Sequence, residues 1–465
     1  MLIPMIAARF RCHSRPVVFH LVWFLLAPAA LLSADRDFLP FETVKRFLSP
    51  EMRLTGAPEW LAWCRGEDKA IRARLEQGDL DSVVNLLLFG TSFTKEPRIR
   101  IDRITEASKA GILRARVDNL VAGLRHPRDN ERLLFVQQLL QRQGVDPQDP
   151  AQSGLFLLNN LTRVVQERIK LGELVAGAQA LRHEDDPGSL LDRGSVFRDR
   201  GVSLDTAILP NFLVEQALRD LKKRGLLREG QVARVAVVGP GLDFIDKNEN
   251  DAYDYYPQQS IQPFALYDSL VRLNLAKGNA VSLSVLDISS RVIEHIQRSV
   301  ARAATNEGYV IQLPHGGERP WNAEMTSYWQ SLGDQVGSAA EPVRPPEAFT
   351  ALETRAVRVR PQVVRNLKPV DLDIVLEHLN LSNQEKFDVI VGTNIFIYYD
   401  EFHQQLALEN AGAMLKPGGF LLTNDRLPEV PGGLMRLDGI TVVPDPAGTK
   451  GAGLAVGWYR KTSSE

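Results

Sequence analysis

The second half of this chain alternates between short apolar strand-like segments and amphipathic helical patterns. From about Gly225 onward, Val232–Val238 and Val281–Asp287 are predicted strands, with a helical spacing of apolar residues between them. Parallel strands need a long crossover connection, which is usually a helix. The alternation therefore predicts an α/β fold with a mainly parallel sheet.

The first half of the chain has a different periodicity. Over residues 35–229, apolar residues recur three and four positions apart, which predicts helices. We therefore expect an all-α domain over 35–229 and an α/β domain over 230–465, with an insertion around 315–370, where Pro, Gly and Ser are scattered. Two strand-like segments in the C-terminal tail predict an antiparallel hairpin that closes one sheet edge.

Residues 1–34 have the order of a secretory signal peptide. Three arginines precede an apolar run from Val17 to Leu32, and no acidic residue appears before Asp35. The run has 16 residues, which is shorter than the 18 or so expected of a membrane-spanning helix. We predict an exported or periplasmic protein that contacts a membrane only through this segment. The alternative is translation from Met52, which would leave a cytoplasmic protein.

Charge and cysteine content limit the partners. Lys and Arg total 55 against 57 acidic residues, for a net charge of -2, so we expect no nucleic-acid partner. The only cysteines are Cys12 and Cys64, which excludes a disulfide framework and a thiolate zinc site. We predict no metal site. The partner is a small molecule or a protein of unknown identity.

The ends of the first two predicted strands carry candidate ligand-binding residues. In an open α/β sheet, ligands bind beyond the carboxyl ends of the strands. Gly239 and Gly241 follow the first strand and allow a tight turn and a close approach of ligand to backbone. Asp287 ends the second strand, where a carboxylate can accept both hydroxyls of a ribose. The alternative role for Asp287 is a helix N-cap, which Ser289 or Ser290 fills equally well.

The neighbouring residues favour one nucleotide cofactor over another. A dinucleotide requires glycine near position 244, where the chain has Phe244. The carboxylate of Asp243 would repel a diphosphate but favours a cation such as the sulfonium of S-adenosylmethionine (SAM). The predicted cofactor contacts in this region are Gly239, Gly241, Asp243, Phe244, Asp287 and Ile288.

A later segment carries a family resemblance. The stretch Glu385–Asp400, continued by Leu415–Phe420, resembles class I SAM-dependent methyltransferases, most closely the CheR-type chemotaxis-receptor glutamate methyltransferases. The resemblance implies a Rossmann-like seven-stranded sheet, bound SAM and methyl transfer. It covers about residues 231–300 and 370–425.

The resemblance also implies site residues. Asn380 and Leu381 are similar to a family pair that lies against adenine, and Asn394 is a further candidate cofactor contact. Asn394 and Tyr398, just after the predicted fourth strand, are candidates to orient the methyl acceptor. Thr393 stands where the family has an arginine, so a glutamate acceptor is not supported and the acceptor stays unknown.

Two other functions stay open at this stage. Export would remove the protein from the cytosol, where the methyl donor is made, which favours an exported, non-catalytic binding protein that keeps the methyltransferase fold. A nicotinamide (NAD(P)) oxidoreductase uses a similar sheet, but Phe244 and the Glu385–Asp400 segment weaken that alternative.

Overall fold

The computed structural model describes the chain from residue 35 onward, with internal gaps. The described residues are 35–96, 99, 106–180, 201–202, 207–245, 254–316, 321–347, 352–446 and 453–462. The predicted signal peptide, residues 1–34, lies outside them. No helix in these ranges is long and apolar enough to span a membrane.

The elements follow the predicted change from helical to alternating structure. The helices are α1 (Phe41–Val44), α2 (Ala57–Phe89), α3 (Glu106–Arg125), α4 (Glu131–Arg142), α5 (Pro150–Ala180), α6 (Ile208–Lys223), α7 (Gln262–Arg272), α8 (Ser290–Ala304), α9 (Ala323–Ser331), α10 (Pro361–Val364) and α11 (Glu401–Met414). The strands are β1 (Arg36–Phe38), β2 (Arg234–Val238), β3 (Ser282–Asp287), β4 (Tyr309–Gly316), β5 (Gly337–Ala340), β6 (Leu352–Val359), β7 (Leu367–Asp371), β8 (Glu377–Leu379), β9 (Phe387–Val391), β10 (Leu415–Thr423), β11 (Met435–Pro444) and β12 (Gly453–Lys461).

A seven-stranded sheet in the order β11-β12-β10-β9-β2-β3-β7 forms the centre of the fold. The pairings from β10 through β9, β2 and β3 to β7 are parallel. β12 runs antiparallel to both β10 and β11. Every residue of β9 is buried, as expected for a strand covered by helices on both faces. The predicted fold class, an α/β fold with a Rossmann-like seven-stranded sheet, an antiparallel C-terminal hairpin and a helical N-terminal region, is confirmed.

A second, smaller sheet falls largely in the predicted insertion. β4, β6 and β5 form a three-stranded antiparallel sheet in the order β4-β6-β5. The strand-like segment Tyr309–Leu313 is part of β4, and it joins this small sheet and not the central one. The chain returns to the central sheet at β7.

The helical region is not purely helical. β1 pairs antiparallel with β8, so the chain just after residue 35 is joined to the α/β region. α6 precedes the predicted boundary at residue 230, yet its apolar face packs into the core of the central sheet. A separate apolar core lies among α2, α3, α4 and α5, and it includes Phe244 and Ile245 from the segment after β2. The two cores therefore meet at that segment.

Candidate functional site

The sheet order creates a crevice at the carboxyl ends of its central strands. From β2 the chain moves to β3 and β7 on one side, and later to β9 and β10 on the other. Such a reversal of direction leaves space for a ligand beyond the strand ends. The predicted glycines and Asp287 lie at this reversal.

The segment after β2 turns on two glycines with left-handed backbone. Gly239 has φ of 58° and Gly241 has φ of 69°, a region that favours glycine. The amide of Gly239 donates to the carbonyl oxygen of Leu286 in β3, at 2.8 Å. A Cβ at Gly239 would lie 2.2 Å from Cδ1 of Ile395, so this position has no room for a side chain.

Asp287 is buried at the end of β3, and only one of its two carboxyl oxygens is hydrogen-bonded. Its Oδ1 accepts a hydrogen bond from the amide of Ser289 at 2.8 Å, and its Oδ2 has no hydrogen-bond partner. Burial raises the pKa of Asp287 to about 7, although the nearby amides of Ser289, Ile288 and Gly241 favour the ionised carboxylate and oppose this shift. Ser289 is the N-cap residue of α8. One oxygen of Asp287 therefore accepts from the N-cap residue of α8, and the other is available to a ligand in the crevice.

A second buried carboxyl lies in the same crevice. Asp373 follows β7, and its Oδ1 accepts from the amide of Val375 at 3.0 Å. Its Oδ2 has no hydrogen-bond partner, and burial raises its pKa to about 7. We did not predict this residue from the sequence. The available signal was an aspartate within the otherwise apolar segment Leu372–Leu376.

These groups line one cavity. Its walls are formed by Val202, Val238, Gly239, Gly241, Leu286, Asp287, Ile288, Leu372, Asp373, Ile374, Ile395 and Tyr399. The cavity measures about 40 Å³, whereas small-molecule sites usually measure about 300–1,000 Å³. A nucleoside therefore enters only if wall side chains move, and Val202, from the helical region, is one of those walls.

Two predicted contacts lie elsewhere. The Asp243 carboxylate is buried, with its Oδ2 accepting from the hydroxyl of Tyr256 at 2.7 Å and from Nε2 of Gln259 at 3.1 Å. Phe244 packs edge-to-face on Phe135 of α4, with 5.3 Å between ring centroids. Neither residue is a wall of the cavity, and the Asp243 carboxylate faces Tyr256 and Gln259.

The predictions around the fourth parallel strand are mixed. Asn380 is exposed and its amide donates to the carbonyl oxygen of Asp35 at 2.8 Å. Neither Asn380 nor Leu381 lines the cavity. The wall residues from this part of the chain are Leu372, Asp373 and Ile374. Asn394 and Tyr398 are also absent from the wall, and their neighbours Ile395 and Tyr399 are present. Ile288, a predicted cofactor contact, is a wall residue.

The buried carboxyls predict a pH-dependent stability. Their pKa values are raised to about 7 from an unfolded value near 3.9, so the stabilisation is full below about pH 4 and is lost as pH rises through 7. We expect Asp373→Asn, which can still accept from the Val375 amide, to raise the free energy of unfolding at pH 8 by about 1–3 kcal/mol and to change it little at pH 4. Urea unfolding from pH 4 to 8 measures this. An unchanged pH slope in the variant would contradict the assignment.

No group of three or more His, Cys, Asp or Glu side chains in the described ranges is placed to hold a metal ion. The cavity instead combines carboxyl oxygens, the backbone of Gly239 and Gly241, and apolar side chains. Such a set suits a nucleoside, whose sugar and base carry hydrogen-bond donors on apolar rings.

Comparison with known proteins gives weak structural similarities. No family model and no curated protein matches the sequence. Among solved structures, MtNAS in complex with MTA and tNA matches 77% of this chain and 100% of its own at 11% identity and a TM-score of 0.24. Magnesium protoporphyrin IX methyltransferase from Synechocystis PCC 6803, with bound SAM, matches 55% of this chain and 81% of its own at 9% identity and a TM-score of 0.26. A TehB-like SAM-dependent methyltransferase from Corynebacterium glutamicum matches 55% of this chain and 100% of its own at 10% identity and a TM-score of 0.24. These values are too low to assign the chain to a family.

Proposed function

We propose that this protein binds S-adenosylmethionine in the crevice at the ends of β2, β3 and β7 and is a class I methyltransferase. The observation that carries the proposal is the buried Oδ2 of Asp287, which has no hydrogen-bond partner and lines one cavity with Gly239 and Gly241. A buried acceptor without a donor is costly. Ribose hydroxyls are donors that would satisfy it.

The other cavity residues suit the remaining parts of the cofactor. Asp373 offers a second unpartnered acceptor oxygen, which would receive the amino group of adenine between Ile374 and Leu372. The backbone turn at Gly239 and Gly241 would lie against the methionine end. When bound, SAM supplies an electrophilic methyl group on a sulfonium.

The geometry disfavours a dinucleotide. In dinucleotide-binding folds the glycine turn leads directly into a helix whose N-terminus receives the pyrophosphate. Among the described residues between β2 and β3, which leave out 246–253, the helix is α7, and it begins at Gln262. Asp287 and Asp373 would also repel phosphate groups. The nicotinamide oxidoreductase alternative therefore has less support than methyl transfer.

Methyl transfer requires little from side chains beyond alignment. Holding donor and acceptor in line contributes roughly 7–11 kcal/mol, whereas a positioned base adds about 3–5 kcal/mol from its typical 10²- to 10⁴-fold effect. Asn394 is the exposed polar residue nearest in sequence to the cavity wall at Ile395. We propose that it faces the acceptor. Tyr398 is buried, and its carbonyl oxygen accepts from Arg74 at 2.9 Å, so it supports the wall.

The finer assignments rest on sequence alone. The resemblance of Glu385–Asp400 to the CheR-type group motivates a protein acceptor, while Thr393 in place of the arginine argues against a glutamate side chain. Export through residues 1–34 stays a proposal as well. An exported, non-catalytic protein would bind the nucleoside without transferring the methyl group.

Titration calorimetry tests the proposal. We expect the purified protein to bind SAM and S-adenosylhomocysteine, with affinity for either at least 100-fold higher than for NAD⁺. That ratio corresponds to about 2.7 kcal/mol, comparable to one charge-assisted hydrogen bond. Failure to bind both nucleosides, or tighter binding of NAD⁺, would refute the proposed cofactor.

A further inference from the structure

Helix α2 contacts both chain segments that carry the buried carboxyls of the cavity. Nη1 of Arg72 in this helix donates to the carbonyl oxygen of Ile288 at 3.1 Å and lies 2.9 Å from Oδ1 of Asp371. Ile288 directly follows Asp287 and lines the cavity, and Asp371 precedes Asp373 by two residues. One side-chain nitrogen therefore bridges the ends of β3 and β7.

The direction of the Arg72 guanidinium is set within its own helix. Its Nε donates to Oδ1 of Asp68, one turn earlier in α2, at 2.8 Å. Because the guanidinium is planar, this bond at Nε fixes the direction in which Nη1 points. The Arg72 side chain is 29% exposed, so most of it packs against its surroundings. We did not predict a role for Arg72 from the sequence.

Arg72 acts where the pairing of the two strands ends. The register of β3 with β7 reaches Asp287 and Asp371, and the amide of Leu372 donates to the carbonyl oxygen of Asp287 at 3.1 Å. Beyond this bond one segment enters α8, and the other enters a turn in which the Leu376 amide donates to the carbonyl oxygen of Asp373 at 3.0 Å. The bridge from α2 therefore helps to set the spacing between the two cavity carboxyls.

Charged groups on α2 and β8 act on the carboxyl of Asp373. Burial raises its pKa to about 7, and the bond from the Val375 amide opposes this rise. The carboxylates of Asp68 on α2 and Glu377 on β8 raise the pKa further, whereas the Arg72 guanidinium lowers it. The charge of Arg72 thus favours the ionised form of Asp373, which is the stronger hydrogen-bond acceptor.

The carboxyl of Asp287 is influenced by the same bridge. Burial is the main cause of its raised pKa, and the carboxylate of Asp371 adds to the rise. Arg72 pairs with that carboxylate and so reduces its effect. Tyr399, another wall residue, carries no charge because burial raises the pKa of its hydroxyl well above the usual value. Arg72 is therefore placed to favour the ionised state of both cavity carboxyls.

We propose that Arg72 is a positioning residue of the cofactor site, which holds the ends of β3 and β7 at one spacing so that Asp287 and Asp373 accept from two ends of the same nucleoside. This inference rests on the proposed binding of S-adenosylmethionine, and it adds that the helical region completes the cofactor site. Arg72 itself need not touch the ligand.

Calorimetry with two ligands tests the proposal. The ligands are S-adenosylhomocysteine and its 6-deamino analogue, in which hydrogen replaces the adenine amino group. In the unaltered protein we expect the analogue to bind about 10- to 100-fold more weakly, the effect of one hydrogen bond to a charged group. In Arg72→Gln the nucleoside no longer reaches both acceptors, so S-adenosylhomocysteine should fall to within about threefold of the analogue, whose own affinity changes little. An unchanged ratio would overturn the proposal, because a purely structural loss weakens both ligands equally.

The pH dependence of this ratio is a second measure. Asp287 affects both ligands alike, so the ratio reports on Asp373, whose carboxyl ionises near pH 7. The preference for S-adenosylhomocysteine should therefore be larger at pH 8 than at pH 6 in the unaltered protein and the same at both pH values in Arg72→Gln. A ratio that rises equally with pH in both proteins would also overturn the proposal.

Arg72→Lys keeps the positive charge and most of the packing, which makes it the variant to use if Arg72→Gln does not fold. Lysine is shorter and has no Nε–H for Asp68 to orient, so its ratio should lie between those of the other two proteins. A ratio equal to that of the unaltered protein would count against a positioning role.

Asp79→Asn is the matched control on the same helix. It weakens another ion pair of α2, in which Asp79 Oδ1 lies 2.6 Å from Nη1 of Arg291, and neither residue is a wall of the cavity. We expect this variant to keep the ratio of the unaltered protein, and a loss of preference as large as that in Arg72→Gln would overturn the specific role of Arg72. If the unaltered protein binds neither ligand, the proposed function fails. If it binds with the expected preference and Arg72→Gln keeps that preference, only the role of Arg72 fails.

Discussion

Asp287→Ala is expected to weaken S-adenosylhomocysteine binding by about 10²- to 10⁴-fold. A buried carboxylate that accepts two ribose hydroxyls makes two charge-assisted hydrogen bonds, each contributing about 1.5–3 kcal/mol. The sum of about 3–6 kcal/mol corresponds to that range. Titration calorimetry at pH 8 measures the effect, since the carboxyl, with its pKa near 7, is then mostly ionised.

The same substitution is expected to stabilise the ligand-free protein. Asp287 has a buried oxygen without a partner, and removing it relieves a cost of about 1–3 kcal/mol. Loss of the bond to the Ser289 amide offsets about 1 kcal/mol of this gain. Urea unfolding at pH 8 should therefore give a higher or equal free energy of unfolding. Lower stability together with weaker binding would instead mean that Asp287 holds the fold.

Asp388 supplies a matched control at the opposite end of the sheet. Its Oδ2 accepts from the amides of Ala233 and Arg234, at 2.8 and 2.9 Å, and its Oδ1 pairs with Lys416 at 2.6 Å. Asp388→Ala should lower the free energy of unfolding by about 1–3 kcal/mol and leave the nucleoside affinity within about threefold. A binding defect as large as that of Asp287→Ala would show that the assay reports stability only.

The central sheet and the position of Asp287 were predictable because both depend on local pattern. β2 and β9 are short apolar segments that only a doubly covered sheet can bury. The carboxyl ends of parallel strands lie at one edge of the sheet. An aspartate that ends one strand and glycines that follow its neighbour are therefore close together, independently of loop conformation. The C-terminal hairpin was likewise encoded by two strand-like segments around a turn.

The orientations of Asp243 and Phe244 were not predictable from their own neighbourhood. Their direction is set by α4, whose Phe135 and Arg132 lie more than 100 residues earlier in the sequence. A glycine-containing turn followed by an acid has the same local pattern whether the acid faces a ligand or a buried arginine. Only the packing of the helical region against this segment decides between the two.

Strand partners were also underdetermined. Residues 309–313 have the composition of a strand, but nothing local indicates that they pair with β6 and not with the central sheet. The side-chain pattern of a strand reports burial on each face and not the identity of its neighbour. Asp373 was overlooked for a related reason: the family resemblance directed attention to Asn380 and Leu381, a few residues further along.

Arg132→Met is expected to cost about 3–5 kcal/mol of unfolding free energy, the usual effect of removing one partner from a buried charged network. The Arg132 guanidinium is buried and donates to the carbonyl oxygens of Asp243, Phe244 and Tyr256. Its charge also opposes the rise that burial causes in the pKa of the Asp243 carboxyl. Methionine would fill most of the space but leave three carbonyl groups without their donor and the Asp243 carboxyl without a nearby cation.

Arg142, on the same helix, is the matched control for this prediction. Its side chain is 50% exposed and lies 3.7 Å from Asp79, so Arg142→Met should cost less than about 1 kcal/mol. Urea unfolding compares the two variants. Equal costs would contradict the role that we assign to Arg132.

A double-mutant cycle separates the charge of Arg132 from its hydrogen bonds to the chain. Asp243→Asn removes the buried carboxylate that Arg132→Met leaves without a cation, so the double variant should recover about 1–2 kcal/mol relative to the sum of the single changes. The unfolding free energy that the double variant still lacks measures the three hydrogen bonds from Arg132 to carbonyl oxygens. Two of those carbonyls, of Asp243 and Phe244, follow directly after Gly241. We therefore expect loss of these hydrogen bonds to weaken nucleoside binding as well. Additive stability changes would mean that Arg132 holds the loop through its backbone contacts alone, independently of Asp243.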